Sequence, residues 1–554
     1  METSQAHPQT VQGVRRREVL KTGLVAGAAL STWSLPGAPA LWGAEAGPPK
    51  RGGLLRVRGY DPPHFDPHLT QNFKTHCTLS FVYSKLFRHK VGAGVQPGTF
   101  SVEPDLAERW DTPDDTTYVF HLRHGVKWHN KPPLNGRELV AEDVKYTFDR
   151  FLTEPGNPLR AVLEPVDRVE VVDRYTVQFL LKEPFVWLVH KLANPSGVWI
   201  IAREAVEHYG DLKKPEAAIG TGPFLLERYE PNVKTVFKRN PDYFRQDQPY
   251  VDGVEWFVLE DESAGLAMYR TGQIDAGPWH GWAVRQQDLE ALKQSHPHLV
   301  YQDFLDNVAS AIYMRTDQPP FNDVRVRRAI SHALDRQGII NAVALRGEPT
   351  PAIPRGLVEW SLPIDQLGPG AKYYQHDPQE ARRLLAEAGF PNGLKAPLNT
   401  TGGYGRDVLD AVQLVQQSLK AVGIEVELKL QEFGAYAATT RVGKFEGLAY
   451  APFTIAWEPD GALYNTYAPD QSLNAGHIND PKITAMLKEQ RRTQDLEARK
   501  QILVELQRYM AEQQYYVYTN SVMVTASWQP YVKNYAHNST FDYGSRAAAL
   551  WLER

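Results

Sequence analysis

Residues 220–244, GTGPFLLERYEPNVKTVFKRNPDYF, constrain the fold more than any other stretch of this chain. Gly220, Gly222 and Pro223 predict a tight turn, because glycine accepts φ > 0 and proline fixes φ near −65°. Phe224-Leu225-Leu226 then opens an apolar strand. Glu230-Pro231-Asn232 is a turn cluster that folds the strand back. Val233, Thr235 and Phe237 alternate with Lys234, Val236 and Lys238, the period of a half-buried strand, and Arg239-Asn240-Pro241 ends it. A hairpin entered through a glycine-proline turn is the expected result.

The rest of the chain reads as strands and helices in alternation. Residues 54–58 and 117–123 are expected strands, and residues 166–181 two strands hinged at Asp173-Arg174. A helix begins at Ala141, and Glu183-Pro184 opens another with the proline in its first turn. Residues 253–259 form a strand, followed by a helix holding Ala264, Ala267 and Met268. Beyond Phe304 come a strand over 309–314 and a helix over 323–336, capped by Asn322 or Asp323. Val326, Ala329, Ile330, Ala333 and Leu334 form its apolar stripe. Helices over 378–388 and 408–422 end at Gly389 and Gly423, and the second runs into an alternating strand over 424–430. Helix then strand at that spacing is an α/β unit. Residues 483–487 and 496–510 are amphipathic helices, 515–524 a strand, and 531–551 a tail that returns to the first part of the fold.

Length and charge narrow the function. The 554 residues leave room for roughly three packed units. A net charge of −4 argues against a nucleic-acid partner. The single cysteine, Cys77, excludes an intramolecular disulfide and reads as a small buried hydrophobe. At the start, Arg15-Arg16-Arg17 precedes an apolar run over 24–35 and small-residue sites at Ala38-Pro39-Ala40 and Ala44-Glu45-Ala46. That is the pattern of a cleaved signal peptide over residues 1–46, either twin-arginine with Val19 where Phe is usual, or ordinary secretory. No cysteine lies at the cleavage region for a lipid anchor, so a free periplasmic protein is expected.

Motifs for catalysis are absent: there is no G-x-S-x-G elbow and no H-E-x-x-H. His64 and His68 lie on a proline-rich loop without a third ligand, and His64 reads as loop structure or ligand contact. His121 and His124 share a strand region where i and i+3 point to opposite faces. The loop holding Gly402, Gly403, Tyr404, Gly405 and Arg406 precedes a helix but lacks the Lys-Ser/Thr ending of a phosphate loop. No metal and no cofactor is expected. Trp279 and Trp282 flank a loop glycine and read as ligand contacts or as core.

Several blocks, in order, carry a family resemblance: GGLLRV with DPPHFDPH, EPDLAERW, FHLRHGVKWH, LVAEDVKYTFDR, GTGPF with RNPDYF, GQIDA and FNDVRVRRAISHALDR. Together they resemble the extracytoplasmic solute-binding proteins, family 5, of oligopeptide, dipeptide and nickel ABC importers. The resemblance covers essentially all of the chain after the expected signal. It implies an α/β, bilobal periplasmic-binding-protein-like fold (type II, cluster C). The first lobe would comprise residues 47–90 and 220–303, with a subdomain inserted over 91–219. The second lobe would comprise 304–524, and 525–554 would return to the first. The implied function is capture of a peptide or similar small solute between the lobes and delivery to membrane permease subunits by a monomer. A periplasmic sensor or chaperone-like binder on the same fold is the alternative, and a hydrolase the remaining class. The ligand could equally be a nickel chelate, an oligosaccharide or an opine-like metabolite. In peptide binders an aspartate in the block here reading APFTIAWEPDGALYNTY commonly meets the ligand's amine; Trp457 takes that place and Asp460 follows, which weakens the dipeptide reading. The expected cleft residues are Trp457, Asp460, Phe453, Tyr404, Arg406, Trp279, Trp282 and His64.

Overall fold

The structure is a computed structural model that describes residues 47–343, 346–453, 455–469 and 471–554. The expected signal peptide lies outside these residues.

The 220–244 stretch forms the expected hairpin, strands Phe224–Glu230 and Lys234–Arg239. Thr235 and Phe237 face inward and Val233 lies exposed in the turn. Strand Gly253–Val258 joins antiparallel beside Lys234–Arg239, and Leu54–Gly59 pairs parallel on its outer side, completing a four-stranded sheet. Gly220 and Gly222 do not serve the turn through positive φ. They are required because the backbone of Phe81-Val82 passes against them: Gly222 N–H donates to the Val82 carbonyl at 2.8 Å and Phe224 N–H to Phe81 at 2.9 Å. A Cβ on Gly220 would sit 2.1 Å from the Val82 carbonyl oxygen, and one on Gly222 within 2.5 Å. Gly220→Ala is therefore expected to destabilise by about 1–3 kcal/mol through overpacking, seen as a lower urea midpoint with unchanged slope.

A separate antiparallel sheet is built from Ala107–Asp114, Thr117–Leu122, Thr176–Leu181 and Val166–Asp173, in that spatial order. Helix Ala141–Thr153 covers it, burying Val144, Phe148 and Phe151. The helix expected at Pro184 starts later, at Leu188–Ala193. Ahead of it, Val186 N–H donates to the Arg491 carbonyl at 2.8 Å, a bond between segments distant in the chain.

The five-stranded sheet runs Ile424–Gln431, Leu394–Thr401, Leu448–Pro452, Ser310–Met314, Val517–Tyr518. Helices Val324–Ala333, Pro378–Glu387 and Arg406–Ala421 pack on one face, with Ile330, Leu385 and Val415 interleaved with Leu398 and Leu448 from the sheet. Burying each such side chain contributes about 1.5–3 kcal/mol. The first helix is capped by Asp323, whose carboxylate accepts the Arg325 N–H. The strand expected over 515–524 is interrupted at Thr519, and Asn520–Trp528 instead pairs with Val300–Leu305 and Ala283–Val284 in a fourth sheet. The C-terminus docks on the first strand, with Arg554 donating to the Leu54 carbonyl at 2.8 Å. Cys77 is buried, and burial pushes its thiol well up from the usual range.

Candidate functional site

Two short segments carry the chain between sheets. Residues 306–309 link Val300–Leu305 to Ser310–Met314, and Thr519 links Val517–Tyr518 to Asn520–Trp528. They are bonded together: Thr519 N–H donates to Ser310 O at 2.8 Å, and Asp306 N–H to Val522 O at 2.9 Å. The block after Pro452 is anchored on the first of them. Phe453 N–H donates to the Ala309 carbonyl at 2.8 Å, continuing the antiparallel pairing, and Asn307 Nδ2 donates to Ala456 O at 2.5 Å. Residues whose sequence neighbours form separate sheets thus meet at one crossing point.

Trp457 projects from this block to the C-terminal segment. Its Nε1–H donates to the Ser539 carbonyl at 3.0 Å, and its ring meets Phe541 edge-on at 5.2 Å. The aromatic row continues from Phe541 to Phe73 at 6.0 Å, from Phe73 to His280 at 6.0 Å, and from His280 to Trp279 at 5.7 Å. Burial, reinforced by the Arg58 charge, pushes the His280 imidazole down to about 4, so it is neutral near pH 7. Trp279 also borders a cavity of about 290 Å³ lined by Ile339, Val408, Tyr450, Val522 and Val524. Phe453 is half-buried against Tyr313 at 4.7 Å, Tyr516 at 5.2 Å and Tyr518 at 5.4 Å. Two of the expected indoles and Phe453 therefore border the crossing region.

The other expected residues are placed differently. Asp460 is buried and already neutralised, with Arg491 Nε at 2.9 Å, Lys191 Nζ at 3.4 Å and Gln490 Nε2 at 2.9 Å. Burial alone would raise its carboxyl, but the Lys191 and Arg491 charges outweigh it and hold it below the usual range. It has no charge to spare for a ligand. Trp282 is core: its Nε1–H donates to Arg58 O at 3.3 Å and its ring packs on Tyr535 and Tyr543. Arg406 projects into solvent, 89% exposed, beside Asp410 one helical turn on. Tyr404 accepts from Arg441 at 3.2 Å and packs edge-on against Phe433 and Tyr436. His64 organises its own loop, its Nδ1 accepting the Asp66 N–H at 3.2 Å and its carbonyl accepting the Thr75 hydroxyl at 2.9 Å.

The crossing segment also holds polar groups that sequence reasoning missed. Asp306 and Asn307 end the strand Val300–Leu305, where an Asp-Asn pair reads as an ordinary strand breaker. Only the bond from Asn307 to Ala456 marks the segment. Asp306 is partly exposed yet deep enough that burial pushes its carboxyl up to about 6. Asn307 Oδ1 is buried without a hydrogen-bond partner among the described residues. Among the same residues no group of three or more His, Cys, Asp or Glu side chains is placed to hold a metal ion. No described helix is long and apolar enough to cross a membrane.

Residues 101–474 match the family model of the bacterial extracellular solute-binding proteins, family 5 (middle region). The chain belongs to this family. Its similarity to curated members extends further: it is 28% identical over 481 residues to a di/tripeptide-binding protein of Pseudomonas aeruginosa, covering 82% of this chain and 86% of the relative. It is 28% identical to the dipeptide-binding protein of Escherichia coli K12, covering 74% and 78%. Among solved structures, the periplasmic binding protein DppA of Helicobacter pylori in complex with the peptide STSA superposes with a TM-score of 0.73 at 25% identity, covering 91% and 99%. Family 5 membership fixes the architecture as a two-lobed binding-protein fold and the activity as solute binding rather than catalysis.

Proposed function

We propose that this family 5 protein is the periplasmic receptor of an ABC importer, that it captures a short peptide or similar small solute between two lobes, and that it delivers the solute to membrane permease subunits. Lobe I is residues 47–90, 220–303 and 525–554 with the subdomain 91–219 inserted, and lobe II is 304–524. The strand pairing supports this division, since Leu54–Gly59 and Gly253–Val258 share a sheet while Ser310–Met314 and Leu448–Pro452 build another. The protein is exported by its N-terminal signal and acts as a free monomer.

The observation that carries the reading is the crossing point itself. Two bonded segments connect the sheets, and an aromatic row from Trp457 to Trp279 flanks them. A largely apolar enclosure with few orienting polar groups suits a small organic solute. Trp457, Phe453 and Trp279 are the proposed walls. Ligand in contact with both lobes would shift the population toward the closed state about the crossing segments. Peptides are favoured as the solute by the names of the curated relatives.

The test is calorimetry and small-angle scattering on the mature protein with unblocked di- and tripeptides. Saturable one-to-one binding with a reduced radius of gyration is expected. Binding of oligosaccharide or nickel chelate, with none of any peptide, would reject the peptide assignment.

A further inference from the structure

The cavity of about 290 Å³ beside Trp279 is walled by three separate parts of the chain. Trp279 and Val284 belong to lobe I. Val522 and Val524 lie on strand Asn520–Trp528, which leaves the crossing point. Ile339, on helix Arg336–Val343, and Val408, in the first turn of helix Arg406–Ala421, come from lobe II. Protein interiors are close-packed, with few voids larger than a water molecule. A gap of this size between elements of both lobes is a place for an occupant, and that occupant would touch both lobes and the strand that joins them.

The walls indicate its chemistry. Polar side chains in them are already engaged. Arg285 pairs with Glu262, and Gln286 Nε2 donates to the Met523 carbonyl at 3.0 Å. The Tyr450 hydroxyl is shared between Thr519, at 3.4 Å, and Ser310, and Asn520 Oδ1 accepts from the Thr519 hydroxyl at 2.9 Å. Asp407 and Gln287 stand at the rim, exposed. A polar group moved inside would give up its water for walls whose polar atoms are taken, a cost that an apolar group does not meet. Size sets the second limit. A cavity of roughly 150 Å³ holds benzene, and pockets for whole ligands start near roughly 300 Å³. There is room for one apolar group and not for a whole peptide. The aromatic row that starts at Trp457 ends at Trp279, on the border of this cavity, so the apolar track past the crossing point leads into it.

We propose that this cavity receives a compact apolar group of the bound solute, a branched aliphatic chain or a single ring, and that carrying such a group defines the solute class. The inference rests on the reading of this chain as a solute receptor with the lobes given above, and it names the substrate class of that site. The walls come from both lobes and from the strand between them, so the group is fully covered only in the closed state. Its apolar surface therefore contributes to affinity and to closure together. A solute with polar groups alone leaves the cavity empty and holds the closed state less tightly.

The experiment uses the mature protein and three probe sets in calorimetry: di- and tripeptides of Gly, Ala and Ser, the same peptides with one residue replaced by Leu or Phe, and the non-peptide acids 4-methylpentanoate and phenylacetate. Replacing Ala by Leu adds three carbons, each worth about fourfold when buried, so wild type is expected to bind the best Leu peptide about 50-fold more tightly than its Ala counterpart. Val408→Trp, which fills the cavity, is expected to abolish most of that ratio. Val522→Thr, which keeps the side chain's shape and sets a hydroxyl in the wall, is expected to lower it. Binding of 4-methylpentanoate or phenylacetate, but of no peptide, with loss on Val408→Trp would keep this assignment and reject the peptide reading. Equal or weaker binding of the Leu and Phe peptides in wild type, a comparison that needs no variant, would overturn it. So would an apolar preference, or acid binding, that persists in both variants, since the group would then lie elsewhere, and so would failure of all three probe sets to bind.

Discussion

Lys191→Met is expected to lower the unfolding free energy by about 3–5 kcal/mol, the usual cost of leaving a buried charge uncompensated. Lys191 and Arg491 face Glu458 and Asp460, two cations against two anions. The Lys191 ammonium lies 2.7 Å from Glu458 and 3.4 Å from Asp460, and Arg491 lies 2.9 Å from Asp460. Every one of these side chains is at most 9% exposed, so solvent screens little of the interaction. Glu458 is also the N-cap of helix Pro459–Tyr467, accepting the Gly461 N–H. Trp187 completes the contact by donating to Gln490 at 2.7 Å. Removing Lys191 leaves net negative charge inside the protein, between the segment around residue 190 and the helices Pro459–Tyr467 and Pro481–Arg492. The double variant Lys191→Met with Glu458→Gln restores neutrality and should recover a substantial part of the loss. Urea unfolding of both variants at pH 7 and pH 4 checks this. The Asp460 carboxyl is held below its ordinary value, so its contribution is present above about pH 4 and is lost only as pH falls through the lower folded value. A cost for Lys191→Met under 1 kcal/mol, or a double variant worse than the single, would refute the balanced-network account.

Asp542→Ala should cost a similar amount, about 3–5 kcal/mol, because it too strips a buried cation of its partner. Lys85 is 1% exposed and lies 2.8 Å from Asp542, with its ammonium 3.9 Å from the centre of a Trp199 ring. Asp542 also caps helix Tyr543–Ala549 by accepting the Ser545 N–H. The pair thereby holds the C-terminal segment, which carries the Ser539 and Phe541 contacts to Trp457. Burial would raise the Asp542 carboxyl, but Lys85, the Ser545 N–H and Arg88 bring it to about 2. The unfolded value is about 3.9, so the folded state binds fewer protons between the two. The contribution, about 2.6 kcal/mol on that shift, is present above pH 4 and disappears toward pH 2. The stability difference between wild type and Asp542→Asn should therefore shrink as pH falls below 4. A difference independent of pH between 2 and 7 would show that the ion pair is not its source.

These two networks also show what was legible in the sequence. The hairpin at residues 224–239, the helix capped by Asp323 and the helix-strand unit joined at Gly423 carry their signals locally, in periodicity and caps, and all three stand in the structure. The site depends on pairings distant in the chain. Asp460 reads in sequence as a ligand contact because it follows Trp457 in the block where the resemblance places an aspartate that meets the ligand; its cations come from residues 191 and 491. Trp282 looked like a loop aromatic beside a glycine, yet its indole is sealed against Arg58 and Tyr535. Gly220 and Gly222 stand out in the sequence as turn residues, but their role is the close passage of Phe81-Val82 and not turn geometry.

The most direct test of the solute-receptor reading is native mass spectrometry of the mature protein titrated with a mixture of unblocked dipeptides. The account predicts a one-to-one complex whose mass increment matches a single dipeptide. Unliganded protein alone across the titration would contradict it.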